Sequence, residues 1–243
     1  MKKILATLLL VVPALAWAEE GGPALDRAPV DLHNKASLQR GAQIFVNNCL
    51  NCHTASLMRF GRLGDLGLTE DQIKQNLLFG EKIGDAMAPP QDPKISKAAF
   101  GIVPPDLSLI ARSRSPDWLY TYLRSFYRDP ASKTGWNNTV FPNVAMPDVL
   151  WRLQGEQTLE VKQRQNEFTG EVVFTHRLVA GEPGTLSPVE FDRYVGDLVN
   201  YLTWMSEPAQ ASRHMWGVLV LFFFAFFFVI ALLLKKEYWK DVH

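Results

Sequence analysis

Two thiols three positions apart, with an imidazole directly after the second, make up Cys49-Leu50-Asn51-Cys52-His53. This is the spacing for covalent attachment of a c-type haem. Each sulfur adds across one vinyl group of the porphyrin, and the two intervening residues set the span between those groups. The next side chain then lies under the ring, so His53 can supply the proximal nitrogen to iron. A zinc site would need further thiolates or paired histidines, and Cys49 and Cys52 are the only cysteines in the chain. A redox dithiol would want a βαβ neighbourhood, which the surrounding sequence lacks.

A six-coordinate iron needs a second axial ligand. A thioether favours ferrous iron and raises the potential, whereas a second imidazole leaves it lower. Met58 follows His53 too closely to reach the other ring face. Met205 and Met215 fall at the end of the last soluble helix and at a membrane boundary. Met87, in Asp85-Ala86-Met87-Ala88-Pro89-Pro90, and Met146, in Asn143-Val144-Ala145-Met146-Pro147-Asp148, both precede prolines that suit a rigid ligand loop. Spacing alone does not choose between them. His33 and His176 are the imidazole alternatives, and a lone methionine is also ordinary core filler.

These residues must be positioned by helices. Ala36–Asn47 has helical spacing, with Leu38, Ala42 and Phe45 on one face and Ser37 as a candidate cap. Gly41, one turn before Phe45, would let another helix approach closely. A second helix is expected over Glu70–Phe79, with Thr69 and Gln72 as a capping box and Gly80 as its stop. Prolines make 84–106 read as irregular chain wrapping the haem edge. Ser115-Pro116-Asp117 opens a third helix carrying Leu119, Tyr122, Leu123 and Phe126, and 128–149 again reads as irregular. Alternating residues over 157–181, with Thr169-Gly170 near a bend, predict a β-hairpin arm. Ser187-Pro188-Val189-Glu190 starts a last helix that runs to about Met205, before Pro208.

The ends of the chain set its location. Lys2 and Lys3 precede an apolar run from Ile4 to Leu15, and Ala16-Trp17-Ala18 offers small residues for cleavage, so 1–18 is expected to be an export signal. Met215–Leu234 is twenty residues without a charge, and such a helix rises roughly 30 Å, enough to span a bilayer. Lys235, Lys236 and Lys240 with Tyr238 and Trp239 predict a cytoplasmic tail at 235–243. The soluble domain would then be 19–214, with 20 basic and 23 acidic side chains. The whole chain has 25 of each, so no field argues for nucleic acid. With both cysteines committed to haem, no disulfide is available, and core and cofactor must hold the fold.

Taken together, these features resemble cytochrome c1, the haem subunit of the ubiquinol–cytochrome c oxidoreductase (cytochrome bc1) complex. The resemblance rests on the single Cys-x-x-Cys-His, on Pro104-Pro105-Asp106-Leu107-Ser108 followed by Ile110-Ala111-Arg112-Ser113-Arg114, and on Val144-Ala145-Met146-Pro147. It rests also on Tyr201-Leu202-Thr203-Trp204-Met205-Ser206-Glu207-Pro208 just before the single carboxyl-terminal anchor. It implies a mainly α, class I c-type cytochrome fold with long loops. It selects Met146 over Met87 as distal ligand, gives Arg114 to a haem propionate, and counts Pro105 among the haem contacts. A guanidinium suits a propionate because it can donate two parallel hydrogen bonds.

The resemblance further implies one covalent haem c that takes one electron from the Rieske iron–sulfur protein and gives it to a soluble or membrane-attached cytochrome c. No bond-making catalysis is expected in this chain. The cytochrome b subunit and membrane lipid would be neighbours in a dimeric complex. The plain export signal points to the bacterial type, with the haem domain in the periplasm on the inner membrane. The acidic docking surface of mitochondrial members is not evident, since residues 55–100 hold six acidic and six basic side chains. The rival readings are a membrane-anchored cytochrome c feeding a terminal oxidase, and an open-site haem enzyme or sensor.

Overall fold

A computed structural model describes residues 23–90, 92–165 and 172–241. The expected export signal at 1–18, the Thr169-Gly170 bend and the last two residues of the tail lie outside these. The lead-in at 23–34 has no regular structure and is tied down by side chains far along the chain. The Asp26 N–H donates to Thr121 Oγ1 at 2.8 Å, and the Ala28 N–H to Asp117 Oδ1 at 2.7 Å. Asn200 accepts from the Asp31 N–H at 3.0 Å and donates back to the Asp31 carbonyl at 2.9 Å.

Helix α1 spans Lys35–Asn48 and buries Leu38, Gly41, Ala42 and Phe45. Its cap is Asn34, which accepts from the Ser37 N–H, rather than Ser37 itself. Ser37 is buried one turn in, where its hydroxyl accepts from Asn200 Nδ2 at 3.0 Å. Strand β1 (Ala55–Arg59) leads into a short 3₁₀ segment, Phe60–Leu66, ended by Gly67 at φ +91°. Helix α2, Glu70–Asn76, has the expected Thr69/Gln72 capping box. It stops three residues short of Phe79, whose N–H is taken by Glu81 Oε2 at 2.9 Å instead of a helical carbonyl.

Strand β2 (Ala86–Met87) returns antiparallel to β1. The stretch expected to be irregular then contains helix α3, Pro93–Phe100, capped by Asp92. Pro93 sits in the first turn, where the missing N–H has no partner to lose, so the prolines here start a helix instead of preventing one. Helix α4 (Ile110–Ser113) and helix α5 (Pro116–Arg124) follow, the latter capped by Ser115 as expected. Strands β3 (Phe126–Arg128) and β4 (Trp136–Asn138) form a small antiparallel pair in the segment read as irregular. After helix α6 (Trp151–Gln154), strands β5 (Gly155–Gln165) and β6 (Val172–Pro183) make the expected arm, a longer ribbon than the sequence pattern marked.

The spine is helix α7, Pro188–Ser206, whose Glu190 carboxylate takes both the N–H and the hydroxyl of Ser187. Helices α1, α4 and α5 all pack on it. At the α1 crossing a Cβ on Gly41 would lie 2.1 Å from the Asp197 carbonyl oxygen and 2.6 Å from Tyr201 Cβ. Only glycine allows that approach, which brings the Phe45 and Tyr201 rings to 5.6 Å. Beside it Arg40 donates in a fork to Asp197, Nε at 2.6 Å and Nη2 at 2.9 Å.

Helix α8, Gln210–Tyr238, starts just beyond Pro208. Its most apolar window has a mean hydropathy of 3.1 with none of it buried, and its 29 residues rise roughly 43 Å. It is long and apolar enough to cross a membrane. Glu207, in the joint between α7 and α8, pairs with Arg112 at 3.2 Å and with Arg213. Ser206 Oγ accepts from the Ala111 N–H at 3.2 Å, so both residues of this Ser-Glu step grip α4.

Candidate haem-binding site

The Cys-x-x-Cys-His motif forms as the chain leaves the carboxyl end of α1. Cys49 is the cap residue, its N–H donating to the Phe45 carbonyl at 2.9 Å. The Cys52 and His53 N–H groups then both donate to the Cys49 carbonyl, at 3.1 and 2.9 Å. One further turn thus places two thiols and an imidazole on the same wall of a cavity of about 550 Å³. Burial, with Cys52 adding to it, pushes the Cys49 thiol up to about 12. A nucleophilic dithiol instead needs a lowered thiol pKa, as at a helix amino terminus. Among the described residues no group of three or more His, Cys, Asp or Glu side chains could hold a metal ion.

His53 Nδ1 lies 2.8 Å from the Pro105 carbonyl oxygen, so the ring donates there and leaves Nε2 as a free lone-pair donor. Burial lowers the His53 pKa, against the opposing pull of the Pro105 carbonyl and Asp106, which favours the neutral ligand form. The carbonyl is held in place by the residues after it. Asp106 accepts from the Ser108 and Ser56 N–H groups, both at 2.8 Å. The Leu57 N–H donates to Ser108 Oγ, and the Leu107 N–H to the Thr54 carbonyl. Burial would raise the Asp106 pKa, but hydrogen bonds from Ser108 and Ser56 hold it well below the usual carboxylate range. Pro-Pro-Asp-Leu-Ser is therefore stitched to the chain that follows His53.

The rest of the lining comes from the segment between α3 and α4, from α4, α5 and α7, and from the loop after β4. Ile102, Leu107, Trp118, Phe141 and Leu202 make it mainly apolar. Met146 lines the cavity with Cys49, Cys52, His53, Pro105 and Arg114. Met87 does not. It is fully buried in β2, where the Tyr201 hydroxyl points at its sulfur from 3.7 Å. Met58 and Met205 are likewise core residues outside the lining, and the exposed His33 and His176 do not reach it. Arg114 sits over the Trp118 ring at 5.2 Å and the Phe141 ring at 5.7 Å. Arg112 turns away to Glu207.

The Met146 loop is braced by two asparagines that sequence reasoning did not single out. Asn138 is fully buried; its Nδ2 donates to the Tyr122 carbonyl at 2.8 Å and its Oδ1 accepts from the Val140 N–H at 2.9 Å. Asn137 Oδ1 accepts from the Asn143 N–H at 2.8 Å, at a residue with φ +60° that suits asparagine. Tyr122, expected only on the apolar face of its helix, points its hydroxyl at Met146 Sδ from 3.4 Å. Burial, with help from Asp148, raises the Tyr122 pKa well above that of free phenol, so the hydroxyl stays a donor. A polar atom on an otherwise apolar helix face was the one signal for it.

The cavity fits a haem by its chemistry: two thiols, a neutral imidazole, a thioether, a guanidinium and apolar walls. Comparison with known proteins agrees. A sequence model described as the cytochrome C1 family matches residues 26–83 and 80–242. Cytochrome c1 of Allochromatium vinosum is 49% identical over 245 residues, covering 100% of this chain and 99% of that protein. A Nitrosomonas europaea protein described as an ammonia monooxygenase gamma subunit is 46% identical over 244 residues, with the same coverage. Cytochrome c1 of Rhodospirillum rubrum is 28% identical over 279 residues, covering 98% of this chain and 96% of that one.

Proposed function

The chain belongs to the cytochrome C1 family, and from that premise we propose that it holds one haem c and is the electron-transfer subunit of a cytochrome bc1 complex. Cys49 and Cys52 would hold the group through thioether bonds, and His53 and Met146 would ligate its iron. The bound haem supplies reversible one-electron chemistry. The protein's part is to orient the His53 ring through Pro105, to exclude water with the apolar lining, and to offer His53 and Met146 as two ligands, which would leave no place on the iron for dioxygen. Arg114, which lines the cavity, would hold a propionate, and Pro105, in the same lining, would touch the group.

One electron enters from the Rieske iron–sulfur protein and leaves to a soluble or membrane-attached cytochrome c. Helix α8 anchors the chain beside the cytochrome b subunit and lipid in a dimeric complex. Lys235 and Lys236 support a cytoplasmic carboxyl end, and the export signal at 1–18 supports a haem domain in the periplasm. The observation that carries this reading is the single cavity shared by Cys49, Cys52, His53 and Met146, supplied by segments about ninety residues apart. The monooxygenase named for one relative remains a statement about that relative.

The test is purification from native membranes. Haem should stay on the chain through denaturing electrophoresis and be lost in Cys49→Ser/Cys52→Ser. The chain should co-purify with a cytochrome b and a Rieske protein and be reduced by quinol. Isolation without those two, together with direct donation to a terminal oxidase, would overturn the reading.

A further inference from the structure

The Tyr122 hydroxyl lies 3.4 Å from Met146 Sδ, at hydrogen-bond distance for a sulfur acceptor. The contact is built and not incidental. The Tyr122 ring stacks on Trp118 at 4.7 Å with an interplanar angle of 12°, and meets the Phe126 ring edge-on at 5.0 Å. Its backbone carbonyl is fixed by Asn138, the same residue that braces the chain leading to Met146. The donor and the acceptor are thus referred to one frame, β4, although they are 24 residues apart.

A thioether sulfur has two lone pairs. A hydroxyl that occupies one leaves a single lone pair for the metal and fixes which way it points. It also draws electron density from the sulfur, which weakens donation to ferric iron more than to ferrous iron. Hydrogen bonding to the groups around a metal ligand is one of the ways a protein sets its potential.

We propose that Tyr122 orients the Met146 sulfur and raises the haem potential through its hydroxyl, a role that rests on Met146 being the distal ligand. Tyr122 is a positioning residue, with no contact to the iron required.

The test uses Tyr122→Phe in the full chain within its membrane complex, with Tyr120→Phe on the same helix as control. Tyr122→Phe should keep covalent haem and move the ferric/ferrous ratio at fixed potential two- to tenfold toward ferric, the equilibrium weight of one ordinary hydrogen bond. A tenfold change is 59 mV for one electron. A shifted ratio with the far-red sulfur-to-ferric-iron absorption band retained supports the tuning of the potential, and loss of the band supports the hydroxyl's part in holding the sulfur in place. An unchanged ratio with an unchanged band overturns it. Tyr120→Phe should move neither. Should Tyr122→Phe not accumulate, Tyr122→Leu removes the hydroxyl without adding a second sulfur that could ligate iron. Met146→Leu separates the two claims, because if it keeps the band, the assignment of the ligand has failed and not only the role of Tyr122.

Discussion

The His53 ring nitrogen and the Pro105 carbonyl oxygen meet at 2.8 Å across 52 residues of chain. The acceptor is a backbone atom, so its position depends on what holds the segment, and that is Asp106. Pro105→Ala keeps the carbonyl and is expected to leave the haem spectrum intact. Asp106→Ala frees the Ser56 and Ser108 N–H groups and should cost about 1 kcal/mol in thermal unfolding of the holoprotein, allowing for the exposure of the carboxylate.

The same carboxylate predicts an acid dependence. Its pKa is lower in the folded protein than in the unfolded chain, so its stabilisation is complete above the unfolded value of about 3.9. It is lost as pH falls below that value toward the folded one. Unfolding midpoints followed from pH 6 down to about pH 2 should fall less steeply in Asp106→Asn than in the parent. Parallel curves would remove Asp106 from the account.

The two candidate methionines separate cleanly. Met146→Leu is expected to lower the midpoint potential, abolish the sulfur–iron band and let the reduced protein bind carbon monoxide. Met87→Leu changes a fully buried core side chain of similar volume and should cost under about 1.5 kcal/mol with no spectral change. A spectral effect of Met87→Leu alone would reverse the ligand assignment.

The two arginines after Pro-Pro-Asp-Leu-Ser should also differ. Arg114→Gln removes a positive charge from the cavity, and losing a cation near iron favours the ferric form, so the potential should fall. Arg112→Gln breaks a pair with Glu207 instead and should leave the potential alone. Redox titration of both variants reads the contrast directly.

Gly41→Ala puts a methyl group into the backbone of α7, at 2.1 Å from a carbonyl oxygen. Because backbone must move, a loss of at least about 1–3 kcal/mol is expected, seen as a lower unfolding temperature and less haem-loaded protein. A variant as stable as the parent would mean that the two helices separate freely.

Local signals were legible wherever chemistry and backbone geometry coincide. Thr69 with Gln72, Ser115 with Pro116, and Ser187 with Glu190 mark helix starts because each satisfies free N–H groups by itself. Gly41 could be read because only a close approach rewards glycine inside a helix. The Asn34 cap was missed because Ser37, also a good cap, stands one turn further on. Helix α3 was missed because proline density masks a proline's favourable first-turn position. Of the site, Cys49, Cys52 and His53 were legible as a motif. Spacing did not choose between Met87 and Met146, because both precede prolines; the resemblance selected Met146, and the fold puts that sulfur, and not the core sulfur of Met87, in the cavity lining. Tyr122, Asn137 and Asn138 act across 6 to 24 residues, and no local pattern announces such a partner.

The packing of α1 on α7 has a consequence for the order of assembly. Arg40 and Asp197 are 157 residues apart, and the chain is made from its amino end. The two thiols are therefore synthesised long before the helix that backs their cavity. Closing so long a loop is expected to come late in folding. Until α7 docks, the cavity lacks Leu198 and Leu202, so a haem joined to Cys49 and Cys52 would be expected to reach the two thiols before that wall is in place.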